Sequence, residues 1–199
     1  MAKAKAKASG AVSGAIVIPT MEIGMMTVTL IGDSPLLCHR FSEKARKIML
    51  DKQMGKASAG REKKDPQKDY EESLYKHPDG GYGFPTVALK ACAVRAAKAV
   101  GIAMTDARAA FHIPGELVKI KGKPRMHEVV VRIPGTTDIR HRGEFEKWSV
   151  DLTIRYNARA LTPAQIVNLF NVGGFGTGVG EWRPERNGQH GMFHVKEGA

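Results

Sequence analysis

The clearest alternation of apolar and polar residues along the chain lies at residues 148–156. Trp148, Val150, Leu152, Ile154 and Tyr156 fall on one face of the predicted strand, and Ser149, Asp151, Thr153 and Arg155 fall on the other. Such alternation predicts a strand with one buried face and one solvated face. The apolar, β-branched runs at 25–31 and 127–133 predict two more core strands, and a shorter run at 191–195 predicts a last one.

Two segments between these strands show helical periodicity. Residues 86–100 place their small and aliphatic side chains on one face, and Gly101 follows as a typical C-terminal stop. Residues 162–171 begin with the pattern of a capping box, because Thr162 is followed by Gln165 three positions later, with a proline in the first turn. We therefore predict two core helices.

The segment between the first strand and the first core helix, residues 33–84, is predicted to be an insertion. Ser42 is a typical N-cap for a helix, and the periodicity predicts that Ile48 and Met49 face inward. Residues 55–81 are polar and rich in glycine, which favours a mobile stretch outside the core.

The core elements follow the order strand, helix, strand, strand, helix, strand when the insertions at 33–84 and 134–147 are set aside. This order predicts an α+β, ferredoxin-like (split βαβ, modified RNA-recognition) fold, with an antiparallel sheet and both helices on one face. The second insertion is polar and turn-rich, which predicts a projecting finger. We expect a single domain over residues 15–199, preceded by a flexible basic tail at residues 1–14.

The net charge of the chain is the strongest indication of its partner. The 199 residues include 31 Lys and Arg against 20 Asp and Glu, a formal charge of +11. The excess favours a polyanionic partner, since phosphate contacts supply most non-specific affinity for nucleic acids, although an acidic protein partner is the alternative. No apolar run approaches the roughly 20 residues of a membrane span, so we expect a cytoplasmic protein with no membrane partner. Cys38 and Cys92 are too few for a disulfide framework and are expected to be buried.

A stretch with five glycines in eight residues follows the second core helix. It follows a helix instead of a strand, and its spacing fits neither a dinucleotide fingerprint nor a P-loop. Gly174, Gly176 and Gly178 either let the backbone approach a phosphate or let the last strand pack closely. Trp182 is a candidate for base stacking or for the core, and Arg183 is a candidate for a phosphate contact.

Further basic candidates lie on three predicted elements. They are Lys90, Arg95 and Lys98 on one face of the first core helix, Arg140 and Arg142 in the finger, and Arg155 on the solvated face of the strand at 148–156. A charged helix face is usually only solvated, but the absence of acidic residues from this one makes phosphate contact a competing interpretation.

The segment GFPTVALK at Gly83–Lys90, the finger at 134–147 and the glycine-rich loop at 173–180 resemble the RAMP superfamily of CRISPR-associated proteins. The resemblance covers most of residues 25–196, and the chain also resembles phage-encoded proteins that end in a GVGEWRP segment. The resemblance to the RAMP superfamily implies a non-catalytic protein that binds the backbone of single-stranded RNA or DNA, with repeated copies forming an oligomer or filament along the strand. It also implies the cytoplasm of a bacterium, or of the host cell if the protein is phage-encoded. The resemblance to the phage-encoded proteins implies no activity. No cofactor is expected.

His39 is the candidate catalytic residue for the alternative hypothesis, a metal-independent endoribonuclease. Processing endoribonucleases of the same superfamily use a histidine without a metal, and the resemblance extends this role to His39 as a general base near a ribose 2′-OH. A surface histidine beside a turn is the simpler interpretation. His190 and His194 lack helical ligand spacing and a carboxylate pair, so no metal site is predicted. A phage structural or assembly protein is a third hypothesis.

Overall fold

The computed structural model describes residues 20–56, 63–133 and 135–198, so the predicted tail lies outside the described residues. The strands are β1 (Ile23–Gly32), β2 (Leu36–Cys38), β3 (Tyr75–Lys76), β4 (Tyr82–Pro85), β5 (Phe111–His112), β6 (Leu117–Lys121), β7 (Pro124–Ile133), β8 (Thr136–Phe145), β9 (Ser149–Asn157) and β10 (Phe193–Val195). The helices are α1 (Glu43–Gln53), α2 (Pro66–Ser73), α3 (Thr86–Ala96), α4 (Met104–Ala110) and α5 (Pro163–Gly176), with 3₁₀ turns at Ala97–Val100 and Pro184–Arg186.

The larger sheet is antiparallel and has the strand order β10-β1-β9-β6-β4-β3, with β5 also paired to β9. Strand β1 runs alongside β9 from the pair Ile23 and Asn157 to the pair Ile31 and Ser149. On the other side of β9, Ile120 of β6 lies opposite Val150. The α+β class with an antiparallel sheet is therefore confirmed.

The core lies between this sheet and helices α3 and α5. The predicted alternation of β9 is confirmed, because Leu152 and Ile154 are buried while Arg155 is exposed. Leu89 of α3 and Phe170 of α5 belong to the same buried cluster. The two helices therefore cover one face of β9 and leave its polar face to solvent.

The prediction that residues 127–133 form a strand of the main sheet is wrong. They belong to β7, which pairs with β8 in a separate three-stranded sheet of order β2-β8-β7. The strand beside β9 is instead β6. The run Val129–Val131 suggested burial, but Val130 is 60% exposed. The predicted finger at 134–147 supplies the partner strand, and local periodicity does not reveal which strand pairs with which.

Helix α1 begins as predicted, but its apolar residues do not face the core. The Ser42 Oγ accepts a hydrogen bond from the Ala45 N–H at 3.2 Å, as expected of an N-cap. Ile48 and Met49 are about half exposed, and α1 has no buried residue. Periodicity shows which residues share a helix face, whereas only tertiary contacts decide whether that face is covered.

The prediction that residues 55–81 lie outside the core is wrong for the end of α2. Leu74 is fully buried in the main core, and Ser73 is buried beside it. The Ser73 Oγ accepts a hydrogen bond from the Gly143 N–H at 2.8 Å, which joins α2 to β8. The polar composition of the segment did not reveal this contact because its partner lies 70 residues away in the sequence.

Helix α5 confirms its predicted start and corrects its predicted end. Thr162 and Gln165 form the capping box, with each side chain accepting a hydrogen bond from the backbone N–H of the other. The helix continues to Gly176, so the first half of the predicted loop at 173–180 is helical. Packing against the sheet offsets the low helix propensity of glycine. Within the described ranges, no helix combines the length and apolar character needed to cross a membrane.

Candidate nucleic-acid interface

Basic side chains from distant segments meet around one cavity, which we call the central cleft. Its volume is about 440 Å³. It is lined by His39, Tyr75, Phe84, Pro85, Ala88, Ala91, Arg95, Gly178, Val179, Gly180, Glu181 and Arg183. Three of the predicted binding residues, Arg95, Gly178 and Arg183, are thus brought together with His39.

Arg95 and Arg183 share one carboxylate at the edge of the central cleft. The Arg95 Nη1 lies 2.6 Å from Glu185 Oε2, and the Arg183 Nη2 lies 2.8 Å from the same oxygen. Arg183 also donates to the Gly180 carbonyl at 3.1 Å, which fixes its guanidinium at the start of the 3₁₀ turn. Two guanidinium groups therefore converge on one anionic position, an arrangement that matches a phosphate as well as a carboxylate.

His39 and Arg142 share a second carboxylate inside the central cleft. Glu181 Oε2 accepts from Arg142 Nε at 3.0 Å, and Glu181 Oε1 lies 3.4 Å from His39 Nδ1. The Arg142 guanidinium also donates to His39 Nε2 at 3.0 Å, which requires the imidazole proton on Nδ1. Burial raises the pKa of Glu181, but the hydrogen bond from His39 and the charge of Arg142 outweigh it, so the net pKa is lowered.

A second cavity, the hairpin cleft, lies beside the β7–β8 pair and has a volume of about 330 Å³. Arg140, Arg142 and His39 line it, so His39 borders both cavities. Lys64 contributes a cation from the segment before α2, and its Nζ lies 2.6 Å from Asp138 Oδ1. The predicted finger therefore does carry its two arginines to the same surface as His39.

A third cavity, the helix cleft, lies along α3 and has a volume of about 460 Å³. It is lined by Val87, Lys90, Ala91, Val94, Arg95, Met104 and Arg108, three of which are basic and none acidic. Lys90 lies 3.1 Å from His112 Nδ1. Burial, and then the charge of Arg108, lower the pKa of Lys90. Arg95 and Ala91 also line the central cleft, so the two cavities adjoin.

The predicted glycines serve different purposes. Gly174 is buried, and a Cβ there would overlap the carbonyl of Phe193, so this glycine lets α5 pack closely on β10. Gly176 faces open space. Gly178 has φ of 65°, which favours glycine, and its N–H donates to the Gly173 carbonyl at 2.8 Å. The Gly178 N–H therefore already has a hydrogen-bond acceptor within the chain.

Three predicted residues lie apart from the clefts. Lys98 is exposed on the 3₁₀ turn after α3 and lines none of the three cavities. Arg155 lines a separate, mainly apolar cavity at the end of β9, together with Ile23 and Ala110. Trp182 is 42% exposed with φ of 55°, so it is not a core residue and its indole is available for stacking. The buried indole is Trp148, which donates to the Ser34 carbonyl at 2.9 Å.

Several residues of this surface were not predicted from the sequence. Arg108 is an isolated basic residue, and Lys64 was passed over because the basic and acidic residues of its segment balance. Glu185 and Glu181 were not considered as partners of the arginines. The sequence did offer a reason to consider Glu181, because in the GVGEWRP segment it lies directly between the glycines and Trp182. The ion pair between Arg95 and Glu185 joins residues 90 positions apart, which no local pattern predicts.

The three clefts together present basic side chains along a concave surface, accompanied by the acidic residues Glu181 in the central cleft and Asp69, Glu72 and Asp138 in the hairpin cleft. Guanidinium groups come from α3, β8 and the segment after α5. When the chain is compared with known proteins, no family model and no curated protein matches it, so the role of this surface rests on its geometry.

Proposed function

We propose that the protein binds the backbone of a single-stranded nucleic acid, RNA or DNA, along the three clefts and does not cleave it. One observation carries the proposal: the clefts adjoin each other. Arg95 borders the helix and central clefts, and His39 borders the central and hairpin clefts. A flexible chain of phosphates fits such a path, whereas a compact anion would use only one of the cavities.

The carboxylates in the clefts support the same proposal. Glu185 and Glu181 each hold basic side chains in fixed positions, and both are partly exposed. A phosphate oxygen can accept the guanidinium hydrogen bonds that Glu185 Oε2 and Glu181 Oε2 accept here. The exposed ion pair between Arg95 and Glu185 contributes only about 0 to 1 kcal/mol, so a strand with several phosphates can displace it.

We further infer a ferredoxin-like core. Strands β10, β1, β9 and β6 are adjacent in this order, which corresponds to 4-1-3-2 when they are numbered along the chain. Helix α3 connects the first pair and α5 the last, and the β7–β8 hairpin is inserted between β6 and β9. This arrangement agrees with the resemblance to the RAMP superfamily, whose backbone subunits bind as repeated copies along one nucleic-acid strand. We therefore propose that several copies bind one nucleic-acid strand.

A binding titration at several salt concentrations tests the proposal. Single-stranded RNA and DNA of about ten to thirty nucleotides are labelled with fluorescein, and anisotropy gives the affinity. If three or four phosphates are neutralised, the slope of log affinity against log salt is about −2 to −3. The double variant Arg95→Ala with Arg183→Ala should bind at least about tenfold more weakly with a shallower slope. Absent or salt-independent binding would contradict the proposal.

A charge-matched control separates the clefts from net charge. Arg159 forms an exposed ion pair with Glu22 and lines none of the three clefts. Lys121 likewise pairs with exposed Asp151 outside the three clefts. The double variant Arg159→Ala with Lys121→Ala therefore removes two positive charges outside the proposed site, as many as the cleft variant loses, and its affinity should stay within about twofold of the unchanged protein. An equal loss in this variant would show that general charge, and not the clefts, attracts the nucleic acid.

A ribonuclease is the second candidate, because His39 lies where two clefts meet. Its Nδ1 faces Glu181, an arrangement that orients a general base, but its Nε2 accepts from Arg142 and is not free. Labelled structured RNA incubated with the protein and EDTA tests this candidate. Cleavage that stops with His39→Ala and requires a ribose 2′-OH at the cut site would establish the enzyme, and intact RNA would favour binding alone.

A further inference from the structure

Outside the clefts, two imidazoles and one carboxylate converge at the edge of the smaller sheet. His127 on β7, Glu144 on β8 and His190 before β10 each place one ligand atom within 4.8 Å of the other two. The imidazole rings of His127 and His190 are inclined at 67° with their centroids 6.0 Å apart. The rings therefore do not stack face to face, and one nitrogen of each lies near the same carboxylate oxygen, Glu144 Oε1.

The two distances from Glu144 to the imidazoles match the edges of a tetrahedral metal site, and the imidazole nitrogens lie within 4.8 Å of each other. Zinc binds histidine nitrogen and carboxylate oxygen at about 2.0–2.2 Å, so neighbouring ligand atoms in a tetrahedron lie roughly 3.3–3.6 Å apart. Glu144 Oε1 lies 3.4 Å from His127 Nδ1 and 3.6 Å from His190 Nε2. Both distances exceed the roughly 2.9 Å of an ordinary N–H···O hydrogen bond.

The carboxylate is held in place from the side away from the histidines. Glu144 is 2% exposed, and its other oxygen, Oε2, accepts from Arg125 Nε at 2.6 Å. Hydrogen bonding of this kind is typical of the residues behind metal ligands, because it fixes the ligand's orientation. Oε1 is thereby left facing the two imidazoles.

The backbone on both sides of His190 is also fixed. The His190 N–H donates to the Trp182 carbonyl at 3.0 Å, and the Gly191 N–H donates to the Pro35 carbonyl at 2.8 Å. His127 lies within the long β7–β8 pairing. All three ligand positions are therefore supported by structure that does not depend on the ion.

We propose that His127, Glu144 and His190 bind one divalent transition-metal ion with tetrahedral preference, Zn²⁺ being the best match. Two neutral imidazoles and a carboxylate are donors that zinc favours, and hard ions such as Mg²⁺ and Ca²⁺ favour oxygen alone. The side chains of His127 and His190 are partly exposed, which leaves a fourth position for water. The site joins β7, β8 and the approach to β10, so bound metal stabilises the contact between them.

Metal titration of the EDTA-stripped full chain tests this site. Calorimetry with ZnCl₂ should give one ion per chain, and at a hundredfold excess over the dissociation constant the Tm should rise by roughly 5–10 °C. CoCl₂ should give the intense visible absorption of tetrahedral cobalt, whereas MgCl₂ should give no shift. Absence of Zn²⁺ binding, or only the weak absorption of octahedral cobalt, would overturn the proposal.

Variants with one histidine replaced test whether Zn²⁺ binds at this site. His127→Gln and His190→Gln should each weaken Zn²⁺ binding at least about tenfold, because each loses a ligand. His194→Gln is the matched control, since His194 lies in the same segment but pairs with Asp33. Circular dichroism and the metal-free Tm establish that each variant is folded. Equal Zn²⁺ affinity in all three folded variants would show that the ion binds elsewhere and would overturn the proposal.

Discussion

Two glycines of helix α5 have opposite surroundings although they are only two positions apart. A Cβ at Gly174 would overlap the carbonyl of Phe193, because β10 crosses the helix there. At Gly176 no atom lies within 4 Å of such a Cβ. The first glycine is therefore required by packing, and the second is not.

This contrast predicts opposite effects of the same substitution. Gly174→Ala should lower the free energy of unfolding by roughly 2–3 kcal/mol, because backbone must move to admit the methyl group. Gly176→Ala should leave it unchanged or raise it by up to about 0.5 kcal/mol, because alanine favours the helix. Chemical denaturation of both variants measures the difference. Similar losses in the two variants would contradict the close packing of α5 on β10.

Glu181 gives the stability a defined pH dependence. Its pKa is lowered in the folded state, so its stabilisation is complete above its ordinary pKa and is lost as the pH falls through the lowered value. Glu181→Gln should cost about 1–2 kcal/mol at pH 7, because Arg142 and His39 lose a charged partner. The difference from the unchanged protein should shrink below about pH 4. A cost that is the same at pH 7 and pH 3 would show that the carboxylate charge is not involved.

At the scale of elements, local capping defines where α5 starts. Thr162→Ala removes the hydroxyl that accepts the Gln165 N–H and should cost about 1 kcal/mol of unfolding free energy. Thr162→Ser keeps the hydroxyl and should cost less than half as much. Thermal or urea unfolding followed by circular dichroism measures both. Equal losses would point to the threonine methyl group instead of the cap.

Elements governed by local signals were predictable from the sequence, and elements governed by distant contacts were not. The alternation of β9 and the cap of α5 depend on neighbouring residues and were predicted correctly. Strand β7 was placed in the wrong sheet although its partner β8 follows directly in the chain, because the polar residues of β8 were interpreted as a projecting finger. Residues 173–176 were predicted as loop, because the packing that keeps these glycines helical is tertiary.

At the scale of the whole molecule, the fold gathers residues that the sequence keeps apart. Arg95, Arg183 and Arg142 were predicted as separate candidates on a helix, a loop and a finger, and the structure brings all three to adjoining clefts. The carboxylate partners of Arg95 and Arg142 were not predicted, since these ion pairs join residues 90 and 39 positions apart. Glu185 lies only two positions from Arg183, but its contact with Arg95 depends on the fold. Charge composition indicates the class of ligand, whereas only the fold identifies the surface.

The central claim is that phosphates of a single strand replace carboxylates in the clefts. Glu185 is the most informative position, because Arg95 and Arg183 both contact its Oε2. If a phosphate takes that place, then removing the carboxylate charge frees two guanidinium groups and strengthens binding. Glu22, which pairs with Arg159 outside the clefts, provides a control with the same change in charge.

The most direct measurement is the affinity of one labelled single-stranded oligonucleotide for the unchanged protein, Glu185→Gln and Glu22→Gln at one salt concentration. We expect Glu185→Gln to bind roughly three- to tenfold more tightly, and Glu22→Gln to stay within about twofold. No binding by the unchanged protein, or a Glu185→Gln variant that binds no more tightly than Glu22→Gln, would contradict the account.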